Sequence, residues 1–188
     1  MCWKGAEGIR REKGQIGCTQ GLFSILFLGV FLCVLLQMEL YRTTALYLED
    51  TLAASNLASA VVDLKEYGRT HKILVGNSYE AYQRYRQAVK GNLNLNDAWE
   101  GRTGGIIQGC VRIINYTVYN VDGNQVTVYQ YDENGFMTSW TGELGNISAP
   151  NGILIESTSI YSEIAFTVRG LFGIEMQAYK GNLADIAK

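Results

Sequence analysis

The stretch GLFSILFLGVFLCVLLQMELYRTTALYLEDTLAASNLASAVVDLKEYG, residues Gly21–Gly68, decides the fold because an apolar segment passes into a charged one with no Pro to break a helix. From Gly21 to Met38 there is no charged residue, and Leu, Phe, Ile and Val dominate. A bilayer core needs roughly 20 apolar helical residues, and somewhat fewer suffice when the flanking residues reach the interface. The sequence therefore predicts a transmembrane helix over residues 21–38.

The charges that flank this segment predict its orientation. Basic residues precede it, and mostly acidic residues follow it: Lys4, Arg10, Arg11 and Lys13 before, then Glu39, Arg42, Glu49 and Asp50. Positive residues stay on the cytoplasmic side, so residues 1–20 are expected to be cytoplasmic and the remainder exported. A cleaved signal peptide is the competing interpretation, but the small residues that cleavage requires are poorly matched around Thr43 and Ala45. We therefore predict an uncleaved, single-pass membrane anchor.

Residues 39–67 continue the segment with good helix formers and no Gly or Pro, which predicts one helix through both halves. The second half has an intermittent apolar stripe formed by Leu46, Ala53, Leu57, Ala60, Val61 and Leu64. An amphipathic helix needs an apolar surface to lie on. We expect Leu57, Val61 and Leu64 to pack on the protein's own folded part, although a second helix is an open alternative.

Residues 68–188, here called the head, carry one helix signal followed by strand signals. Asn77 or Ser78 is a candidate N-cap and Gly91 a candidate end for a short helix over residues 78–90, with Tyr82, Tyr85 and Val89 at helical spacing. The glycine-rich segment 101–105 predicts a flexible joint. Beyond it, VRIINYTVYNVDGNQVTVYQYDENGFMTSW has three strand-like runs separated by Asp-Gly and Asn-Gly turn signals.

Two further runs in the C-terminal part, STSIYSEIAFTVRG and IEMQAYKG, also have strand character. The sheet is therefore expected to span residues 106–180 with about five strands. Together these signals predict an α+β fold, in which a long N-terminal helix, transmembrane and then amphipathic, packs on a small antiparallel sheet.

This layout resembles the TadE/TadG-like components of tight-adherence pili and, more broadly, type IV pilin-like proteins. The resemblance rests on the basic start, the Gly14-Gln15 pair, the apolar helix and the residues Glu39-Leu40-Tyr41-Arg42 that follow it. It implies a non-enzymatic pilus component whose partners are membrane lipid, other pilus subunits or copies of itself. Pilins carry a Glu five residues after the processing glycine, whereas Thr19 and Leu22 take that place after Gly14 and Gly17. Whether the N-terminus is processed stays open.

Small residues in the apolar segment indicate a second role for it. Gly21, Ser24 and Gly29 would allow another helix to approach closely, which is how helices associate in lipid. Glu39 could pair with a basic group at the membrane boundary, while Tyr41 and Tyr47 suit the aromatic belt at the interface. A simple monomeric anchor explains the same residues. The assembly-helix residues predicted here are therefore Gly21, Ser24, Gly29, Glu39, Tyr41 and Arg42.

The sequence offers little for catalysis or cofactor binding. His71 is the only histidine, so no zinc-binding His pair exists, and Cys110 is the only cysteine beyond the apolar segment. We expect Cys110 to be a buried strand residue; a nucleophilic Cys110 and His71 pair is the remote alternative. With a net charge of -2 and no basic cluster in the head, nucleic-acid binding is not expected. We predict no enzyme activity, no cofactor and no metal site. The alternative function is an anchored extracytoplasmic binding or sensing domain.

Overall fold

The computed structural model describes residues 6–102, 107, 109–170, 173 and 175–186, with side chains at all of these except residues 6–18 and 169. The helices and strands in chain order are α1 Ala6–Ser59, α2 Leu64–Thr70, α3 Ser78–Asn92, β1 Arg112–Asp122, β2 Gln125–Asp132, β3 Met137–Glu143, β4 Ser159–Arg169 and β5 Glu175–Asp185. The chain forms two compact units, Met1–Arg42 and Thr43–Lys188. The predicted α+β fold, a long N-terminal helix with a small antiparallel sheet, is confirmed.

The five strands lie in the order β3-β2-β1-β4-β5, and all neighbours are antiparallel. The meander β1-β2-β3 turns at the two predicted places. Asp122 pairs with Gln125 across a two-residue turn, and Gly123 has a φ of 63° there. Gly135, with a φ of 79°, turns the chain between β2 and β3. Glycine accepts these positive φ values without the steric cost that a Cβ would add.

One face of the sheet, here called the helix face, is covered by α3 and by the part of α1 beyond residue 42. Tyr82 of α3 stacks on Tyr131 of β2 with ring centroids 4.5 Å apart, and Tyr85 lies 4.7 Å from Tyr116 of β1. These four rings are buried, as expected for large apolar bodies in a core. The tyrosines of this face therefore serve mainly to hold α3 on the sheet.

The opposite face, here called the loop face, is covered by the connection between β3 and β4. Tyr119, Val126, Val128 and Tyr161 form its buried cluster together with Ala149 and Ile155 of that connection. Tyr161 packs so closely over Gly181 of β5 that a Cβ at residue 181 would overlap the tyrosine ring. No pattern in the sequence predicted this second layer.

The end of α1 differs from the prediction, since the helix stops at Ser59 rather than near residue 67. Val62 forms an isolated β-bridge with Val75, and Asp63 begins a separate helix by accepting hydrogen bonds from the backbone N–H groups of Lys65 and Glu66. β-Branched residues favour extended backbone, and an N-cap carboxylate stabilises a new helix start. Local capping therefore outweighs helix propensity in this segment.

The short helix of the head was predicted well. Asn77 is its N-cap, accepting from the N–H groups of Tyr79 and Glu80, and Tyr82, Tyr85 and Val89 are buried. The helix includes Gly91 and ends at Asn92, slightly later than predicted. Of the predicted joint, residues 103–105 lie outside the described residues, as does residue 106, the predicted start of the sheet.

Candidate functional site: the faces of the long helix

The apolar segment within α1 is long and apolar enough to span a membrane. Among the described residues, one helix meets this criterion. The large side chains of the segment are exposed, and those of Phe23, Ile25 and Phe27 are exposed over more than two thirds of their surface. Exposed apolar surface on this scale is unfavourable in water and favourable in lipid. The segment is therefore compatible with a single-pass membrane-anchored protein.

The predicted assembly residues lie on the surface of α1. Space around Gly21 and Gly29 is open, since a Cβ there would meet nothing within 4 Å. Ser24 donates its hydroxyl hydrogen to the carbonyl of Gln20 at 3.0 Å, so its polar group is satisfied inside the helix. At 3.6 residues per turn, Ser24 neighbours Gly21, whereas Gly29 lies about 140° around the helix from Ser24. The helix thus brings together Gly21 and Ser24 but not all three.

Residues at the end of the segment are also accessible. Glu39 and Arg42 are exposed, and Tyr41 is partly buried. Tyr47 was predicted to lie with Tyr41 in the membrane interface. Its hydroxyl instead donates a hydrogen bond to the Asn92 carbonyl at the end of α3, at 2.8 Å. This bond gives Tyr47 a structural role in the head.

Beyond residue 42, one face of α1 packs on the sheet and is here called the inner face. Its buried residues include Leu48, Leu52, Ser55, Asn56 and Ser59, which share one side of the helix. Asn56 Nδ2 donates to the carbonyl oxygens of Ile160 in β4 and Asn182 in β5, at 3.4 Å and 3.1 Å. These bonds join the helix to two neighbouring strands.

Two other contacts strengthen the inner face. The hydroxyls of Ser59 and Tyr116 lie 2.9 Å apart in a buried hydrogen bond. Asn92 of α3 donates to Ser55 Oγ at 3.0 Å. Because buried polar groups need partners, these bonds fix the rotation of α1 on the sheet. The helical spacing of residues 48, 52, 55, 56 and 59 was visible in the sequence. Because three of these residues are polar, the sequence did not predict a packing face there.

The predicted packing residues are therefore wrong in two of three cases. Leu57 is 53% exposed and Leu64 is 77% exposed, while Val61 is partly buried. Leu57 lies about 180° around the helix from Leu48, on the side away from the sheet. Leu64 belongs to α2 because α1 has already ended.

The stripe seen in the sequence is nonetheless a real surface, which we call the outer stripe: Leu46, Ala53 and Leu57. At helical spacing these residues share one side of α1, opposite the inner face. Leu46 is 55% exposed, similar to Leu57, and Ala53 is partly buried. The second part of α1 thus has a partly polar inner face, which the head covers, and an exposed outer stripe, in which the charged Asp50 lies between Leu46 and Ala53.

The two residues considered for nucleophilic chemistry are far apart. Cys110 is exposed, contrary to the prediction that it is buried, because it lies in an isolated bridge with Glu100 two residues before β1. His71 is the exposed C-cap of α2. The next residue, Lys72, forms an ion pair with Asp122, so His71 lies near the C-terminal end of β1, whereas Cys110 precedes its N-terminal end. Eleven strand residues separate the two ends by roughly 30 Å. A Cys110 and His71 pair is therefore excluded in this fold.

Side chains suited to metal binding are dispersed. Among the described residues, no group of three or more His, Cys, Asp or Glu side chains is placed to hold a metal ion. Comparison with models of protein families, with curated proteins and with solved structures finds no match to this chain. The candidate functional features of the molecule are therefore the faces of α1 and the surface of the head.

Proposed function

We propose that this protein is a non-enzymatic, membrane-anchored surface protein that acts as a TadE/TadG-like, pilin-like component of pilus assembly, with its N-terminus in the cytoplasm and its head exported. The observation that carries the proposal is the outer stripe of α1. A helix that served only to hold the head would need no exposed leucines beyond the membrane, whereas α1 exposes Leu46 and Leu57.

The chemistry of the outer stripe suits a protein partner. Leu46 and Leu57 present apolar surface, and Ala53 between them is small enough to let another helix approach. Gly21 and Ser24 provide a similar close-approach surface in the apolar segment. Copies of this chain or other pilus subunits would bury both surfaces, with membrane lipid surrounding the rest of the segment.

Replacing residues 21–38 with an unrelated transmembrane segment of equal length tests the membrane part of the proposal. Export and folding of the head should survive, while surface filaments and co-purification with pilus subunits should be lost. Unchanged filaments and co-purification would show that the segment only anchors the head.

The variant Leu57→Asp tests the outer stripe, and Leu64→Asp is its matched control because both leucines are exposed. Leu57→Asp should abolish filament formation with little change in the thermal stability of the head, whereas Leu64→Asp should leave both unchanged. Normal assembly by Leu57→Asp would contradict the role of the stripe.

An anchored extracytoplasmic binding domain is the second candidate function. The observation that favours it is a cavity on the head, beside Trp99 and Arg86, which none of the assembly surfaces includes.

A further inference from the structure

A cavity of about 350 Å³ opens on the surface of the head between α3, the segment before β1 and the turn after β2. Its walls include Arg86 of α3, the Trp99 indole, and the apolar side chains of Val111 and Ile113. Pockets of roughly 300 to 1,000 Å³ with apolar walls and a few polar groups are typical of small-molecule sites. The volume is thus sufficient for a small organic ligand.

Arg86 is the distinctive group of this cavity. Its guanidinium lies 5.4 Å from the ring centroid of Trp99 and 5.9 Å from that of Tyr82, so aromatic rings hold it in place. Among the described residues no carboxylate forms an ion pair with it. A partly buried cation that stacks on rings and has no carboxylate partner among the described residues is positioned to receive an anion.

The other charged groups of the cavity are already paired. Arg112 Nη1 and Glu133 Oε1 lie 2.8 Å apart, so their charges cancel. Near the cavity, Asp132 accepts hydrogen bonds from the backbone N–H groups of Asn134 and Phe136, at 2.9 Å and 2.8 Å. Arg86 is left as the cation of the lining without an acidic partner.

The backbone at Trp99 provides an independent observation. Trp99 has a φ of 61°, a left-handed conformation that is costly for a bulky side chain. Hydrogen bonds hold it there: its N–H donates to the Asn96 carbonyl at 3.1 Å, and its carbonyl accepts from the Val111 N–H at 2.8 Å. Backbone strain of this kind is concentrated at binding and active sites. In this fold it places the indole against Arg86.

We propose that this cavity binds a carboxylate with a small apolar body, in which the carboxylate contacts the Arg86 guanidinium and the apolar body lies against Trp99 and Val111. Guanidinium groups bind carboxylates through paired, charge-assisted hydrogen bonds, which explains the class of ligand. The ligand is a free organic acid or the terminal carboxylate of a peptide, since both present the same chemistry.

Trp99 provides a direct measurement of binding in the full-length protein. With Trp3→Phe and Trp140→Phe, Trp99 becomes the single tryptophan, and its fluorescence is titrated with benzoate in detergent solution. Benzamide, of the same shape but uncharged, is the ligand control. We expect a saturable response to benzoate and an affinity at least about tenfold weaker for benzamide.

The matched variants are Arg86→Gln and Arg84→Gln. Arg84 lies on the same helix, is paired with Glu80 at 2.7 Å and is not part of the cavity lining. Arg86→Gln should weaken benzoate binding at least about tenfold, and Arg84→Gln should leave it unchanged. Circular dichroism of both variants checks that they fold. Equal benzoate affinity in folded Arg86→Gln, or no saturable response to benzoate in the parent protein, would overturn the proposal.

Cys110 gives a second readout, because it lies on the cavity wall and is exposed. Benzoate should slow its alkylation in a chain with Cys2, Cys18 and Cys33 replaced by Ser, and an unchanged rate at saturating benzoate would count against the site.

N-acetylphenylalanine, compared with its amide, imitates a peptide terminus. Tighter binding than benzoate indicates that the ligand is a peptide terminus, and weaker binding indicates a free acid. None of these measurements depends on pilus assembly, so this proposal and the proposed function can fail separately.

Discussion

Ser55 and Leu57 lie two residues apart in α1 and have opposite environments. Ser55 is fully buried on the inner face, where it donates to the Thr51 carbonyl and accepts from Asn92, whereas Leu57 is half exposed. Ser55→Asp should destabilise the protein by about 2 to 5 kcal/mol, because a charge would be buried without a partner. Leu57→Asp should change the free energy of unfolding by less than about 0.5 kcal/mol. Chemical denaturation of both variants measures the difference.

Equal stability of the two variants would show that α1 does not lie on the sheet through this face. The residue that best explains its orientation is Asn56, whose hydrogen-bond partners are 104 and 126 residues away in the chain. Such partners come together only in the folded molecule. Apolar spacing alone therefore assigns the wrong side of the helix to the sheet.

At the scale of helices and strands, buried tyrosines on both faces of the sheet make the free energy of unfolding depend on pH in the alkaline range. Burial raises the pKa of Tyr119 and of Tyr161 to about 12, with the Glu163 carboxylate adding to the effect at Tyr161. Burial also raises the pKa of Tyr85 and Tyr116 above the usual value. In the unfolded chain these groups ionise near pH 10, so the folded state binds more protons above that pH.

The stability that these tyrosines contribute is therefore complete below about pH 10 and is lost as the pH rises towards 12. We expect the free energy of unfolding to fall over this interval, with tyrosinate absorbance at 295 nm rising together with loss of the sheet signal. Tyr119→Phe should reduce the slope of the free energy of unfolding against pH, whereas Tyr79→Phe, at an exposed tyrosine, should leave this slope unchanged. A slope that is the same in both variants would contradict this coupling.

Local signals explain which elements could be predicted. The turns at Gly123 and Gly135 and the N-cap Asn77 are encoded within a few residues, and the structure contains all three. The break after Ser59 also had a local signal, since Asp63 and Glu66 have the spacing of a capping box at the start of a helix. The loop-face layer had none, because Ala149 and Ile155 become core residues only through contact with β1, β2 and β4.

At the scale of the whole molecule, the cavity shows most clearly what sequence patterns omit. Arg86 and Trp99 are 13 positions apart, and neither belongs to a motif. Their contact depends on the left-handed backbone at Trp99 and on the hydrogen bond from Val111, which brings the segment before β1 alongside. The apolar segment, in contrast, is defined by composition and length, so the sequence alone was sufficient to predict a helix that is long and apolar enough to span a membrane.

Cys110 allows a direct test of the predicted orientation of the chain across the membrane, because it is an exposed cysteine in the head. A chain that keeps only Cys110 should react with a membrane-impermeant maleimide in intact cells, since the basic residues before Gly21 predict a cytoplasmic N-terminus. The control is Cys110→Ser, which retains Cys2 and Cys18 before the apolar segment and should react only after lysis. Labelling of the control in intact cells, or of Cys110 only after lysis, would place the head in the cytoplasm and remove the basis for a role at the cell surface.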